Sequence, residues 1–110
     1  MTDKKEIEEY LLSRPNAWLD FPFGPEAEVY KVGKGDQSKM FAIIQSGKMP
    51  VNISLKCDPA LAEHLREKFI TVMPGYHLNK KHWNTIVCSG ELSEQELQDL
   101  IDLSYRLVTE

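Results

Sequence analysis

The chain has only two cysteines among its 110 residues, Cys57 and Cys88. Two thiols are too few for the disulfide framework that holds small secreted domains together. No apolar run approaches the roughly 18 residues that a membrane-spanning helix needs. The first six residues are mostly charged and are not followed by an apolar segment, so no signal peptide is expected. We therefore expect a cytoplasmic protein that does not associate with membranes.

The chain also lacks an excess of positive charge. Thirteen Lys and Arg residues stand against seventeen Asp and Glu residues, which gives a formal net charge of −4. A protein that coats nucleic acid non-specifically usually carries the opposite sign. Hydrophobic residues make up 42% and charged residues 27%, close to the average of globular domains. With no repeat or low-complexity segment, residues 1–110 are expected to form one domain and a monomer.

Three segments carry the signals of amphipathic helices. The first is expected to be capped by Asp3 and to end before Pro15. The second begins at Asp58 and Pro59, because a proline in the first helical position loses no needed N–H group. The third begins with the capping box SEQE at residues 93–96, which an apolar stripe follows.

Between the first two helices the apolar period becomes two, as in β-strands. Polar and apolar residues alternate over residues 28–32 and 51–57, and residues 40–44 are apolar on both faces, as in a central strand. Turn residues at 33–38 and 46–50 separate these runs. The segment is therefore expected to form a three-stranded antiparallel meander.

Two shorter strands are expected after the second helix, over residues 70–73 and 85–89. The predicted order of elements is then α-β-β-β-α-β-β-α. This order is typical of an α+β fold, a two-layer domain with helices packed on a mostly antiparallel sheet.

The net charge conceals a separation of charge along the chain. Residues 29–57 carry five lysines and one aspartate, and residues 71–90 carry two lysines and no acidic residue. Residues 1–28 and 91–110, which hold the first and last helices, have net charges of −4 and −5. A basic sheet can follow a phosphate backbone. Lysine is also typical of the solvent-facing and edge positions of strands, so the pattern fixes the sign of a partner and not its identity.

The densest group of polar and aromatic side chains lies between the last two strands, in a loop at residues 77–83. Its histidines, lysines and asparagine suit hydrogen bonding to an anion, and the aromatic rings of Trp83 and of Tyr76, which directly precedes it, suit stacking on a base or covering a pocket. Trp83 is expected to fill the core, since tryptophan is usually buried. Asn79 also suits the start of a short helical turn.

Neither a metal centre nor a cofactor is expected. The two cysteines and three histidines are scattered along the chain, without the paired spacing of a local metal site. Both cysteines fall where small apolar strand residues belong, which disfavours a Cys/His nucleophile. The glycines at 33 and 35 precede a strand and not a helix, so they indicate a turn and not a phosphate loop. We expect that the protein is not an enzyme.

The loop segment PGYHLNKKHWNTI, residues 74–86, resembles the MmcQ/YjbR family of small bacterial proteins. Other segments agree in the same order and extend the resemblance over nearly the whole chain: FPFG at 21–24, VYKV at 29–32, KMFA at 39–42 and SLKCDP at 54–59. The resemblance implies a two-layer α+β domain comparable to the CyaY-like and secretion-chaperone-like folds. It also implies DNA binding, because the family has a suggested likeness to double-wing DNA-binding domains.

The leading hypothesis is a non-enzymatic domain that binds double-stranded DNA through its basic sheet and hairpin face and the loop at 77–83. Lysines would contact phosphates, and loop side chains would donate hydrogen bonds. Because the second and third helices are net negative, the contacts must come from strands, hairpins and the loop. The candidate residues are Lys31, Lys39, Lys48, Lys56, His77, Asn79, Lys80 and His82.

Two other functions stay open at this point. A charge-separated domain of this size can act as a protein-interaction or adaptor module that pairs with a partner of opposite charge. It can also bind a small anionic ligand, if the loop at 77–83 forms a pocket against the sheet.

Overall fold

Three helices and six strands make up the computed structural model, which describes residues 1–110. The helices are α1 (Lys4–Leu12), α2 (Pro59–Lys68) and α3 (Glu94–Thr109). The strands are β1 (Ala17–Asp20), β2 (Ala27–Val32), β3 (Lys39–Gln45), β4 (Asn52–Lys56), β5 (Val72–Pro74) and β6 (Trp83–Val87). A short 3₁₀ turn, Gly35–Gln37, lies in the hairpin between β2 and β3.

The six strands form one antiparallel sheet in the order β1-β2-β3-β4-β6-β5. Strands β2, β3 and β4 form the predicted meander. Because β6 lies between β4 and β5, the two edges of the sheet are β1 and β5. The ladder of β2 and β3 shifts register after Tyr30, where β3 contains a bulge.

The helices begin where the sequence predicts. The side chains of Asp3 and Asp58 each accept a hydrogen bond from a backbone amide in the first turn, and Pro59 is the first residue of α2. Ser93 and Glu96 form the predicted capping box. None of the three helices combines the length and the apolar character that crossing a membrane requires.

All three helices pack against the same face of the sheet. The core joins alternate strand residues, among them Tyr30, Ile44, Ile53 and Ile86, to apolar residues of α1 and α3. Helix α2 contacts the same face through Asn84, whose side-chain amide donates to the carbonyl of Ala62 at 3.2 Å. The opposite face of the sheet carries no helix, and we call it the helix-free face.

The predicted α+β class and its two-layer arrangement are confirmed, and the sheet holds one strand more than predicted. This strand, β1, pairs with β2 at the edge of the sheet. Two exposed residues, Trp18 and Leu19, lie between two half-buried ones in β1. That pattern does not alternate, so the period of two that marks a strand is absent from its sequence.

The last two strands occupy slightly different residues from those predicted. The carboxylate of Glu91 accepts hydrogen bonds from the backbone amides of Ile70 and Thr71, at 3.3 and 2.9 Å. These contacts hold residues 70 and 71 in a turn, and β5 begins at Val72, two residues later than predicted. Strand β6 begins earlier than predicted, at Trp83.

Candidate nucleic-acid interface

Most of the candidate residues gather at one end of the sheet. At this end the hairpin of residues 33–38 joins β2 to β3, β4 ends at Lys56, and a loop of residues 75–82 leads into β6. The register fixes this arrangement, since Lys39 pairs with Val32 and Lys56 pairs with Trp83. We call this end the basic end, and residues 75–82 the histidine loop.

The structure brings seven of the eight candidate residues to the basic end and its loop: Lys31, Lys39, Lys56, His77, Asn79, Lys80 and His82. Lys48 lies apart from them, in the hairpin between β3 and β4 at the opposite end of the sheet. The two ends are separated by the length of β3, which at about 3.3 Å per residue is on the order of 20 Å. The eight candidates therefore do not form one patch.

Ion pairing distinguishes one of these lysines from the others. The Nζ atom of Lys31 lies 2.8 Å from Oδ2 of Asp20 and 5.5 Å from the ring centroid of Trp18. The hydrogen bond from Lys31 holds the pKa of the Asp20 carboxyl below its ordinary value. Five further lysines of the basic end form no ion pair, and they are Lys34, Lys39, Lys56, Lys80 and Lys81. None of them has an acidic partner, and the ammonium group of Lys80 donates a hydrogen bond to the carbonyl of Gly75 at 3.1 Å.

Asn79 shapes the histidine loop through its backbone and its side chain. Its carbonyl accepts hydrogen bonds from the amides of His82 and Trp83, at 3.2 and 3.0 Å. Its Oδ1 atom accepts from the amide of Lys81 at 2.9 Å. Asn79 therefore begins the short helical turn that the sequence predicts, and its side-chain oxygen is already occupied.

Arg66 of α2 holds the histidine loop from the helix side. Its Nε atom donates to Oδ1 of Asn84 at 2.6 Å, and one terminal nitrogen donates to the carbonyls of Lys80 and Trp83. At the start of the loop, a Cβ atom on Gly75 would lie 2.7 Å from the Cβ of Trp83, which leaves no room for a side chain. Sequence reasoning missed Arg66, because its partners are mostly backbone carbonyls and no sequence pattern marks them.

Two aromatic side chains are exposed near these lysines. Tyr76 is 56% exposed and Trp18 is 37% exposed, whereas Trp83 is buried as predicted. The ring centroids of Tyr76 and His77 lie 3.9 Å apart. His77 has φ 57°, a left-handed conformation that is uncommon for a residue other than glycine. Tyr76 belongs to the aromatic residues for which base stacking is predicted, whereas nothing in the sequence marks Trp18, since exposure of an aromatic residue cannot be read from its type.

The remaining groups bear on thiol chemistry, metal binding and small-ligand binding. Burial raises the pKa of the thiols of Cys57 and Cys88 to about 11, so both are protonated at neutral pH. No group of three His, Cys, Asp or Glu side chains is placed to hold a metal ion. One surface depression lies between the end of α1 and α3, another lies beside the β2–β3 hairpin, and neither is lined by the histidine loop.

The fold and the site define a small α+β domain with one basic end. The model of the YjbR family matches residues 12–107, and the chain belongs to that family. It is 36% identical over 112 residues to the uncharacterized protein YbdF of Escherichia coli O157:H7, covering 98% of this chain and 88% of that protein. It is 33% identical over 105 residues to the uncharacterized protein YjbR of Escherichia coli K12, covering 92% and 82%. The resemblance found in the sequence is thus confirmed at the level of the family.

Solved structures share the fold along the whole chain. The crystal structure of Deinococcus radiodurans protein DR2400, which carries a DUF419 domain, superposes with a TM-score of 0.95 at 37% identity and covers 100% of this chain and 80% of that one. A crystal structure of a protein from Pseudomonas syringae superposes with a TM-score of 0.80 at 26% identity, covering 96% and 98%. The arrangement of helices and strands is therefore that of known relatives.

Proposed function

We propose that this domain binds DNA through the unpaired lysines of its basic end, as a cytoplasmic monomer that catalyses no reaction. The observation that carries the proposal is that five lysines lie at one end of the sheet without an acidic partner, and that they come from three separate segments: the β2–β3 hairpin with the start of β3, the end of β4, and the histidine loop. A lysine that neutralises a phosphate releases condensed counterions, and this release drives association.

The position of the acidic helices also favours DNA binding at the basic end. The acidic helices α1 and α3 pack on the other face of the sheet from Lys31 and Lys56, so a polyanion at the basic end is kept from most of the negative charge. Two carboxylates lie within the basic end: that of Asp36 is exposed in the β2–β3 hairpin, and that of Asp58 caps α2. The charge of Asp58 is thus partly satisfied by the backbone of the protein itself.

A salt titration with two matched charge-reversal pairs tests the proposal. We would measure fluorescence anisotropy of a labelled 15-base-pair duplex at about 20 mM and about 200 mM salt. The test pair is Lys39→Glu with Lys56→Glu. The control pair, Lys5→Glu with Lys48→Glu, makes the same change of net charge at exposed positions away from the basic end.

We expect the wild-type protein to bind with an affinity that falls steeply as the salt concentration rises. The test pair should lower the affinity, and it should lower the slope of log affinity against log salt concentration by about one for each lost phosphate contact. The control pair should bind like the wild type. An absence of binding at tens of micromolar protein in low salt would contradict binding of duplex DNA, since non-specific binding alone reaches about 10⁻⁴ to 10⁻⁶ M, and the same result with a single strand would overturn DNA binding altogether. An equal loss in both pairs would contradict the assignment to the basic end.

A further inference from the structure

Three residues of the first four strands lie on the helix-free face: the exposed Trp18 of β1, Lys31 of β2, which is ion-paired with Asp20, and Lys56 of β4. Trp18 of β1 pairs with Lys31 of β2, which pairs with Met40 of β3, and paired residues of antiparallel strands share a face. Lys56 ends β4 on the same face, since the preceding residue, Leu55, pairs with Ala42 on the helix-covered face and successive residues of a strand alternate. The step from β1 to β4 is three strand spacings, about 14 Å.

The histidine loop brings a second exposed ring to this face. The backbone amide of Tyr76 donates to Oγ1 of Thr85 at 3.0 Å, and that oxygen lies 2.7 Å from Oγ of Ser54. Ser54 and Thr85 are paired residues of β4 and β6 on the helix-free face. Tyr76 therefore lies over this face, on the other side of Lys56 from Trp18.

Building on the DNA-binding function proposed above, we infer that the basic end binds single-stranded DNA, with unpaired bases stacking on Trp18 and Tyr76. Exposed aromatic rings beside lysines are the combination that binds single strands, because each base stacks on a ring while the lysines follow the phosphates. A duplex hides the faces of its bases, so neither ring would have a stacking partner. No basic helix is present to enter the major groove, the usual way of reading a duplex.

Anisotropy with two labelled oligonucleotides, a 15-nucleotide oligothymidine and a 15-base-pair duplex, tests this inference in the same buffer. We expect oligothymidine to bind at least about tenfold more tightly than the duplex. Tyr76→Ala should weaken binding of oligothymidine by about 5-fold to 150-fold, the change that corresponds to one lost base stack. Tyr76→Phe keeps the ring and should bind like the wild type.

Two controls separate stacking from general effects. Phe23, in the turn between β1 and β2 at the opposite end, is 62% exposed, and Phe23→Ala should leave the affinity unchanged. Bound oligothymidine should also quench the tryptophan fluorescence, because Trp18 is exposed while Trp83 is only 7% exposed. Trp18→Phe should abolish that quenching and keep a ring for stacking.

The outcomes distinguish this inference from the function on which it rests. If the duplex binds as tightly as oligothymidine and Tyr76→Ala has no effect, the single-strand inference is overturned and DNA binding stands. An equal loss in Phe23→Ala and Tyr76→Ala would also overturn it. If neither oligonucleotide binds at tens of micromolar protein in low salt, both are overturned.

Discussion

The hydroxyl of Ser104 accepts a hydrogen bond from the backbone amide of Lys56 at 2.9 Å. The same hydroxyl donates to the carbonyl of Phe41, so a side chain from α3 bridges β3 and β4 just beyond their last paired residues, Ala42 and Leu55. Ser104 is fully buried. Helix α3 therefore fixes the end of β4 from which Lys56 extends toward the proposed DNA.

Replacing Ser104 with alanine should destabilise the fold. The substitution leaves the Lys56 amide and the Phe41 carbonyl without their partner in a buried place, and an unsatisfied buried group costs about 1–3 kcal/mol. Urea unfolding followed by circular dichroism measures the change. Ser89→Ala is the control, because Ser89 is exposed and its hydroxyl makes no hydrogen bond, and it should change the free energy of unfolding by less than about 0.5 kcal/mol. Equal stability of the two variants would contradict the role of the bridge.

Replacing Arg66 with alanine should loosen the histidine loop. The variant loses the contacts to the Lys80 and Trp83 carbonyls and leaves Oδ1 of Asn84, a residue only 2% exposed, without its charged donor. We expect faster amide exchange over residues 75–82 and a loss of about 1–3 kcal/mol in the free energy of unfolding. Arg106→Ala removes an exposed arginine that forms no ion pair, and neither quantity should change. Unaltered exchange in the Arg66 variant would show that other contacts hold the loop.

The parts of the fold that local chemistry determines could be predicted from the sequence. The caps at Asp3, Asp58 and Ser93 act on backbone amides within the first helical turn, so neighbouring residues are sufficient to identify them. The meander follows in the same way, because alternation in residues 28–32 and 51–57 reports which side chains face the core. These signals depend only on neighbouring residues, so they can be identified without knowing the rest of the fold.

The parts that depend on distant contacts could not be predicted. Strand β1 forms because it pairs with β2, and its own residues do not alternate between buried and exposed. Arg66 and Ser104 act on groups 14 to 63 residues away, and an arginine or a serine on a helix usually faces solvent. Lys48 and Lys56 belong to the same lysine-rich segment, residues 29–57, and only the topology places them at opposite ends of the sheet.

The two thiols should be inert in the folded protein. Cys57 and Cys88 are buried, and burial raises the pKa of both thiols to about 11, so the thiolate that attacks a disulfide reagent is scarce below that pH. With Ellman's reagent at about pH 7.5, we expect no release of chromophore from the native protein within minutes and two equivalents after unfolding in urea. Rapid reaction of one thiol in the native state would show that the segment that buries it opens readily.

A buried carboxylate ties α1 to the sheet. Glu28 of β2 is 7% exposed, and the Nζ atom of Lys4 lies 2.6 Å from its Oε2 atom. The hydroxyl of Tyr30 donates to the same carboxylate at 3.2 Å. Burial acts to raise the pKa of Glu28, and the hydrogen bonds, that from Lys4 foremost, outweigh it, so the pKa lies below its ordinary value.

Replacing Lys4 with methionine should change how the free energy of unfolding depends on pH. Because the folded-state pKa of Glu28 is lowered, its ionised form stabilises the native state above the ordinary pKa of 4.5, and that contribution is lost as the pH falls through the lowered value. Lys4→Met should therefore cost roughly 1–3 kcal/mol at neutral pH, where the buried carboxylate loses its charged donor and keeps only hydroxyl donors. The difference from the wild type should shrink at about pH 3, below the ordinary pKa of a glutamate, because Glu28 of the variant lacks the Lys4 cation that lowers its pKa and takes up a proton there. Urea unfolding at both pH values measures this, with Lys5→Met as the control, since Lys5 is exposed and forms no ion pair. A deficit in Lys4→Met that is the same at both pH values would show that the contact acts through packing and not through charge.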